Sequence, residues 1–315
     1  MANVKLIPFM SKRLWALAFS GVLLLVSLGS LVGQGLNFGL DFTGGALVEI
    51  GYSQAADLNE LRSQLRDLGY PEARVQNFGS ERDVVIRLQQ SDNPNLGDEL
   101  VAELRAISTQ PIELRRSEFV GPQVGDELRD QGGLGLIVAL FAIMVYVAMR
   151  FQLKFAVGSV SALVHDVVLV LGIFSVFQLD FDLSVLAAIL ATIGYSLNDS
   201  IVVSDRIREN FRSIRRDDPS YLIDLSLSQM LGRTLVTSGT TALVLIALLV
   251  FGGEMIRMFA LALLIGVIVG TYSSIYITAN VLLSMGLNKL DLARPEKKGD
   301  DEPEEVPDWL KREDR

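Results

Sequence analysis

Four side chains set in or beside apolar surroundings could carry charge or move protons: His165, Asp166, Asp199 and Arg233. An ionisable group deep in a hydrophobic run costs roughly 2.5–3.5 kcal/mol on insertion scales and faces protein or water rather than lipid. Helical spacing gathers hydroxyls around two of them. Thr192, Tyr195 and Ser196 share a face with Asp199, with Asn198 beside it, and Thr234, Thr237, Ser238 and Thr241 form a second stripe next to Arg233. Proton handling is the chemistry such a set can do. Burial disfavours a charged carboxylate and a nearby cation favours it, so an aspartate between those influences can exchange a proton. Arg233 does not deprotonate and is the natural counter-charge. A proton crossing the membrane releases about 2.3 kcal/mol per 100 mV, enough for several of them to drive a sizeable conformational change.

Plainer readings of the same residues stay open. Asp199 could cap a broken helix or pair with Arg206, and Arg233 could be an anchor at the membrane edge. His165 and Asp166 read more simply as an internally hydrogen-bonded packing device than as a proton relay. Asp205 reads as a partner for neighbouring arginines. Gly266 and Gly270 form a small-xxx-small pattern, which signals close helix packing and no chemistry.

The elements that position these groups follow from hydropathy. Half of the 315 residues are hydrophobic, which excludes an ordinary soluble globule. A bilayer core of about 30 Å needs roughly 20 apolar residues in a helix. Such runs occur at Leu14–Val32, Gln131–Met149, Phe155–Leu179, from Leu183 through Asp199, at Thr234–Gly253 and at Met258–Asn288. The first leaves through GSLVGQG rather than a cleavage-like site, so it is expected to be a retained signal anchor. Six spans put both termini on one side. Lys and Arg cluster before the first span, between the second and third, between the fourth and fifth, and after the sixth, so that side is cytoplasmic and residues 34–130 lie outside.

The expected organisation is therefore a cytoplasmic N-terminus over 1–13, a first span at 14–33, a periplasmic domain at 34–130, five further spans within 131–288, and a disordered cytoplasmic tail over 289–315. Within the domain, ALVEIGYS, ARVQNFG, DVVIRLQ and IELRRSEFVG read as strands, with a turn at SERD. AADLNELRSQLRDLGY and NLGDELVAELRAIS read as amphipathic helices. The order β-α-β-β-α-β is that of a split βαβ, ferredoxin-like α+β unit. GLDFTGG, with Asp41, Gly44 and Gly45, reads as a tight turn joining membrane to domain. In the tail, VPDWLKRED could form a short docking helix.

Several classes are excluded or disfavoured. There are no cysteines and one histidine, so disulfides, thiolate metal sites and histidine metal clusters have no ligands. No P-loop or nucleophile elbow occurs, and neither covalent catalysis nor a cofactor or metal is expected. The net charge of −9 argues against nucleic-acid binding.

Four stretches, LNFGLDFTGG, IGYSLNDSIVVSDRIREN, GRTLVTSGTT and IGVIVGTYSSIYITA, together resemble the SecF branch of the bacterial SecD/SecF protein-translocase family, within the resistance–nodulation–division superfamily. The likeness runs from about Lys12 to Met285. It implies an inner-membrane subunit that pairs with SecD, associates with the SecYEG channel and YajC, and acts after SecA, using the proton gradient to draw an unfolded preprotein outward. It also implies that Asp199, in the ND pair, and Arg233, in the RT motif, take part in proton transport, with Thr237 as a hydrogen-bonding or water-positioning candidate. Two rival readings remain: a proton-coupled small-molecule exporter, disfavoured by one modest domain and six spans, and a structural subunit whose charges only stabilise a partner.

Overall fold

The computed structural model describes residues 5–88, 93–108, 110–150, 152–216, 218–288 and 291. The VPDWLKRED segment and the rest of the acidic tail, apart from Asp291, lie outside the described residues. A short 3-10 helix, Phe9–Lys12, leads into α1 (Arg13–Gly33). There follow β1 (Asn37–Phe38), α2 (Leu40–Thr43), β2 (Gly45–Tyr52), α3 (Leu58–Asp67), β3 (Arg74–Phe78), β4 (Ser80–Leu88), α4 (Leu96–Ile107) and β5 (Ile112–Val120). The chain then runs through α5 (Pro122–Arg150), α6 (Leu153–Val176), β6 (Asp180–Phe181), α7 (Leu183–Ser213), α8 (Pro219–Phe251) and α9 (Glu254–Ser284). Among the described residues six helices are long and apolar enough to cross a membrane, and these are α1 and α5 to α9.

Between α1 and α5 sits the expected α+β unit. Its four strands pair only antiparallel in the order β3-β4-β2-β5, the arrangement of a split βαβ fold. Alternation sends Val48, Ile50, Val84, Ile86 and Leu88 to one face, where they pack under Leu61 and Leu65 of α3 and Leu100 and Leu104 of α4. Burying such side chains contributes about 1.5–3 kcal/mol each. Asp57 starts α3 by accepting from the amides of Asn59, at 2.8 Å, and Glu60, at 3.2 Å. One expectation changes here. SERD is not the turn but the first part of β4; the chain reverses at Gly79, whose φ of 76° suits glycine.

The membrane helices run further than their apolar stretches. Helix α5 begins at Pro122 rather than Gln131, because proline suits a first helical position and the polar start can stand outside the lipid. Helix α8 begins at Pro219 rather than Thr234, capped by Asp218 through the Tyr221 amide. The basic end of α7 stays helical to Ser213. The reason is amphipathic spacing that persists after hydropathy falls: Val203, Ile207 and Phe211 pack on Leu222, Ile223 and Leu227, together with Phe9 and Met10. This antiparallel hairpin is clasped by the N-terminal segment, whose Met10 amide donates to Asp224 Oδ1 at 2.8 Å and whose Ile7 amide donates to Ser228 Oγ at 2.9 Å.

Helices α6, α7 and α9 form the bundle's centre, whereas α1 and α5 expose apolar side chains along most of their length, such as Leu25, Ile137 and Phe141. The α+β unit is rooted on this bundle at two adjacent places. Gly45 and Val120 are paired in register, so the ends of the unit leave side by side. Strand β1 pairs in parallel with β6, in the loop between α6 and α7. Arg87 of β4 makes a two-pronged ion pair with Asp180, at 2.9 and 2.5 Å, and Asn37 Nδ2 donates to the same carboxylate at 2.8 Å.

Candidate functional site

Asp199 lies in the middle of α7, and two hydroxyls from neighbouring helices donate to it. Thr234 Oγ1 of α8 reaches Oδ1 at 3.1 Å, and Ser274 Oγ of α9 reaches Oδ2 at 2.7 Å. Both donors are buried while Asp199 itself keeps partial exposure. The site follows from helix register. Thr192, Ser196, Ser200 and Val203 turn one face of α7 toward the bundle interior, and Asp199 stands at its edge. No described residue pairs Asp199 with Arg206, whose guanidinium instead meets Gln229 and Glu209.

The expected counter-charge is close in sequence to this contact but not part of it. Arg233 precedes Thr234, yet its side chain is exposed and lines a cleft of about 440 Å³ between α5, α7 and α8, together with Arg150, Asp205, Arg206 and Glu209. Burial decides this rotation. Thr234 and Ser238 form the inward stripe of α8, so Arg233 and Thr237, each one residue before them, face outward together. Thr237 Oγ1 turns back to the carbonyls of Arg233 and Thr234, both at 3.1 Å, and does not reach Asp199. Asn198 is likewise exposed, on the side of α7 next to that of Asp199.

A second carboxylate is fully enclosed. Asp166 of α6 is 1 % exposed and receives Ser196 Oγ at 2.5 Å and Ser273 Oγ at 2.8 Å on Oδ2, while His165 Nδ1 lies 3.0 Å from Oδ1. The His165 ring stacks on Tyr272 of α9, whose hydroxyl donates to the Ala16 carbonyl at 2.8 Å and lies 3.0 Å from Ser20 Oγ. Tyr195 and Thr271 both donate to Ser238 Oγ, at 3.3 and 2.7 Å. Four consecutive residues of α9, Thr271 to Ser274, thus reach α8, α1, α6 and α7 in turn. Sequence reasoning had placed no polar partner on α9. The signal is a run of four hydroxyl residues directly after the long apolar stretch that opens the span.

Close approach of α7 and α9 makes these short bonds possible. A Cβ on Gly266 would run into the Thr192 side chain, and one on Gly270 would stand 3.1 Å from Ser196 Cβ. The junction motif reaches the same helix from its other end. Asp41 Oδ2 accepts the Leu183 amide at 3.1 Å, beside the cap that Asp182 supplies through the Val185 amide at 2.9 Å. Two carboxylates therefore stand at the positive end of α7, about 24 Å along the helix from Asp199. Gly44, with φ 66°, lies against the start of α5, where a Cβ would come within 2.9 Å of Pro122 Cα, and Gly45, with φ 118°, opens β2. The GLDFTGG turn is thus a one-turn helix and a glycine pair wedged between α5 and α7.

Among the described residues no cluster of three or more metal-ligating side chains occurs. The polar groups gathered at the bundle's centre are two carboxylates, one imidazole and hydroxyls. They can hold and pass protons.

Comparison with known proteins matches this architecture. Residues 100–288 match the family described as protein export membrane protein SecD/SecF, C-terminal, and residues 29–56 match the SecD/SecF GG motif, which spans Gly44 and Gly45. A protein translocase subunit SecF from Pseudomonas aeruginosa is 50% identical over 306 residues, covering 96% of this chain and 100% of that protein. The SecF of Vibrio alginolyticus is 47% identical over 94% of this chain and 95% of that one. Among solved structures, SecDF from Thermus thermophilus, a translocon-associated membrane protein, superposes with a TM-score of 0.82 at 37% identity over 91% of this chain. This chain spans 40% of that longer one. On the family matches and these identities together, the chain is a multi-pass membrane protein that belongs to the SecD/SecF family of protein export membrane proteins.

Proposed function

We propose that this chain works as a SecF-type subunit of the protein-export machinery, joining SecD and using the proton motive force to promote late preprotein translocation across the inner membrane. The observation that carries the reading is the hydroxyl-held carboxylate of Asp199 within a membrane helix. A half-buried acid with donors from two other helices is coupled to their positions, so gaining or losing a proton changes what holds α7, α8 and α9 together. Each proton driven inward brings about 2.3 kcal/mol per 100 mV. Arg233 and the cleft around it supply positive charge at the cytoplasmic mouth, while His165 and Asp166 serve as a packing knot of α6, α7 and α9.

The lysine and arginine distribution supports both termini in the cytoplasm and the α+β unit in the periplasm. Asp41 at the N-terminus of α7 and the Arg87–Asp180 pair then connect that unit to the helix bearing Asp199. SecYEG is the channel partner, YajC an associated subunit, SecA the motor acting earlier, and an unfolded preprotein the load. The work is transport, with no covalent step, cofactor or nucleic acid.

Inverted membrane vesicles test this. Translocation is started with ATP, arrested midway, and completed by an imposed proton gradient, at equal levels of complex for wild type and Asp199→Asn. The wild type is expected to finish and the variant to stall. Equal completion would make the carboxylate structural and the chain a scaffold for SecD.

A further inference from the structure

Three neighbouring hydroxyls of α9 each have two acceptors, and a hydroxyl carries only one proton to give. Ser274 Oγ lies 2.7 Å from Asp199 Oδ2 and 3.1 Å from the Thr271 carbonyl of its own helix. Ser273 Oγ has the same choice between Asp166 Oδ2, at 2.8 Å, and the Gly270 carbonyl, at 3.1 Å. Thr271 Oγ1 stands 2.7 Å from both Ser238 Oγ and the Val267 carbonyl. Side chains of serine and threonine in helices commonly turn back to a carbonyl three or four residues earlier. Here the alternative acceptor is already in place beside a carboxylate.

We infer that Ser274 is a positioning residue for Asp199, a two-way hydroxyl that keeps both protonation states of the carboxylate hydrogen-bonded. With Asp199 ionised, Ser274 donates to Oδ2. When a proton arrives and makes the carboxyl group, the Ser274 O–H turns to the Thr271 carbonyl and its oxygen accepts the new acid proton. No proton is gained or lost by Ser274; the added one stays on Asp199. Without this turn, one of the two states would bury an unpaired group, and the exchange would be biased against that state. Asp166 is built alike, with Ser273 as its two-way hydroxyl and Ser196 as a second donor at 2.5 Å, but it is sealed in the bundle whereas Asp199 keeps partial exposure. The inference rests on the coupling role proposed for Asp199.

The charged and titratable groups nearest this site on the elements packed around it include His165 and Asp166 of α6, Tyr195, Asp205, Arg206 and Glu209 of α7, Arg233 of α8, Tyr272 and Tyr276 of α9, and Tyr146 and Arg150 of α5. None of them donates to Asp199 among the described residues, whose partners are Thr234 and Ser274. The pH response of Asp199 is thus the property that Ser274 should govern and its neighbour Ser273 should not.

The experiment is the pH profile of gradient-driven completion of an arrested preprotein, in vesicles carrying the full complex. Ser274→Ala is expected to displace the profile by about one pH unit, the difference between a hydrogen bond to the charged carboxylate and one to the neutral acid. Ser273→Ala is expected to leave its position unchanged. A Ser274→Ala profile that superimposes on wild type overturns the inference, as does an equal displacement in both variants, which would reflect loosened packing of α9. If Ser274→Ala fails to assemble, Ser274→Thr decides, since it keeps the hydroxyl: a wild-type profile supports the inference and a displaced one overturns it. Asp199→Asn runs alongside. If that variant completes translocation normally, the coupling role itself fails; if it stalls while Ser274→Ala is unshifted, only the present inference falls.

Discussion

Replacing Gly266 with alanine should be far more damaging than the same change at Gly270, one turn further along α9. At Gly266 the new Cβ would stand 2.9 Å from Thr192 Cβ and closer still to both of its branch atoms. Thr192 is 1 % exposed, so its side chain has no open space to turn into and the two helices must part. At Gly270 the nearest atoms are Ser196 Cβ at 3.1 Å and Oγ at 3.3 Å, which a few tenths of an ångström relieve. Overpacking a closely fitted interior costs about 1–3 kcal/mol. On that scale we expect ~2–3 kcal/mol for Gly266→Ala and ~1 kcal/mol or less for Gly270→Ala. The corresponding factors in the unfolding equilibrium are about 30–150 and about 5. Reversible unfolding in mixed micelles, followed by circular dichroism, reads both. Thr192→Ala combined with Gly266→Ala should recover about 1 kcal/mol relative to the sum of the single changes, since the residues touch. Equal losses at the two glycines, or no recovery in the double variant, would refute the claim that the α7–α9 approach at Thr192 is what demands glycine.

Other expectations concern the roots of the α+β unit and two titrating groups outside the membrane. Arg87→Met should leave Asp180 held by Asn37 alone and raise hydrogen exchange at β1 and β6; with both side chains about a quarter exposed, the loss should be ~1 kcal/mol or less. Asp41→Ala removes an acceptor at the start of α7 and should cost about 0.5–2 kcal/mol, seen as faster exchange of the Leu183 amide. The hydrogen bond from Lys154, helped by the Asn288 amide, holds the Asp291 carboxyl below the usual carboxylate range. Its folded value is the lower one, so this clip is fully present above the ordinary carboxylate value near 4 and is lost as pH falls through the folded value. Exchange at the Asn288 amide, corrected for intrinsic rate, should accelerate on acidification in wild type, and in Lys154→Met the same acceleration should set in at higher pH. Burial, reinforced by Glu60, pushes the Tyr52 phenol up to about 12. Its contribution is therefore complete below about pH 10 and is lost as pH rises toward 12. Phenolate absorbance of the full chain, with Tyr52→Phe as reference, should show this late-ionising group.

The spans and the strand order were legible because each is written in a short-range pattern: about twenty apolar residues for a helix crossing lipid, and alternation for a strand with one buried face. The extents of α7 and α8 were not. Val203, Ile207, Phe211, Leu222 and Leu227 continue a helical stripe after mean hydropathy has dropped, and their burial needs Phe9 and Met10 from the opposite end of the chain. Strand β6 is two residues long and exists only through its pairing with β1, so no local propensity announces it. At the site, Asp199 could be found from its position in an apolar run. Its partners could not, because the choice between Arg233 and Thr234 turns on how α8 is rotated, and the role of Ser274 depends on how closely α9 approaches α7.

The pairing of β1 with β6 also has a meaning for how the molecule is made. All four strands of the α+β unit are contained in residues 45–120, so the unit can fold as soon as that stretch is available. Its fastenings, Asn37 with Asp180, Phe38 with Phe181, and Arg87 with Asp180, wait for a loop some sixty residues later, after two more spans have been synthesised. At about 5–20 residues per second that delay is roughly 3–12 s. During it, a finished unit is tied only through its two chain ends, to α1 and to the emerging α5, with the strand face that carries Leu47, Val85 and Arg87 still unseated. The newly made chain thus passes through an interval in which its folded part is unmoored, and a chaperone acting on this protein would have those seconds in which to hold it.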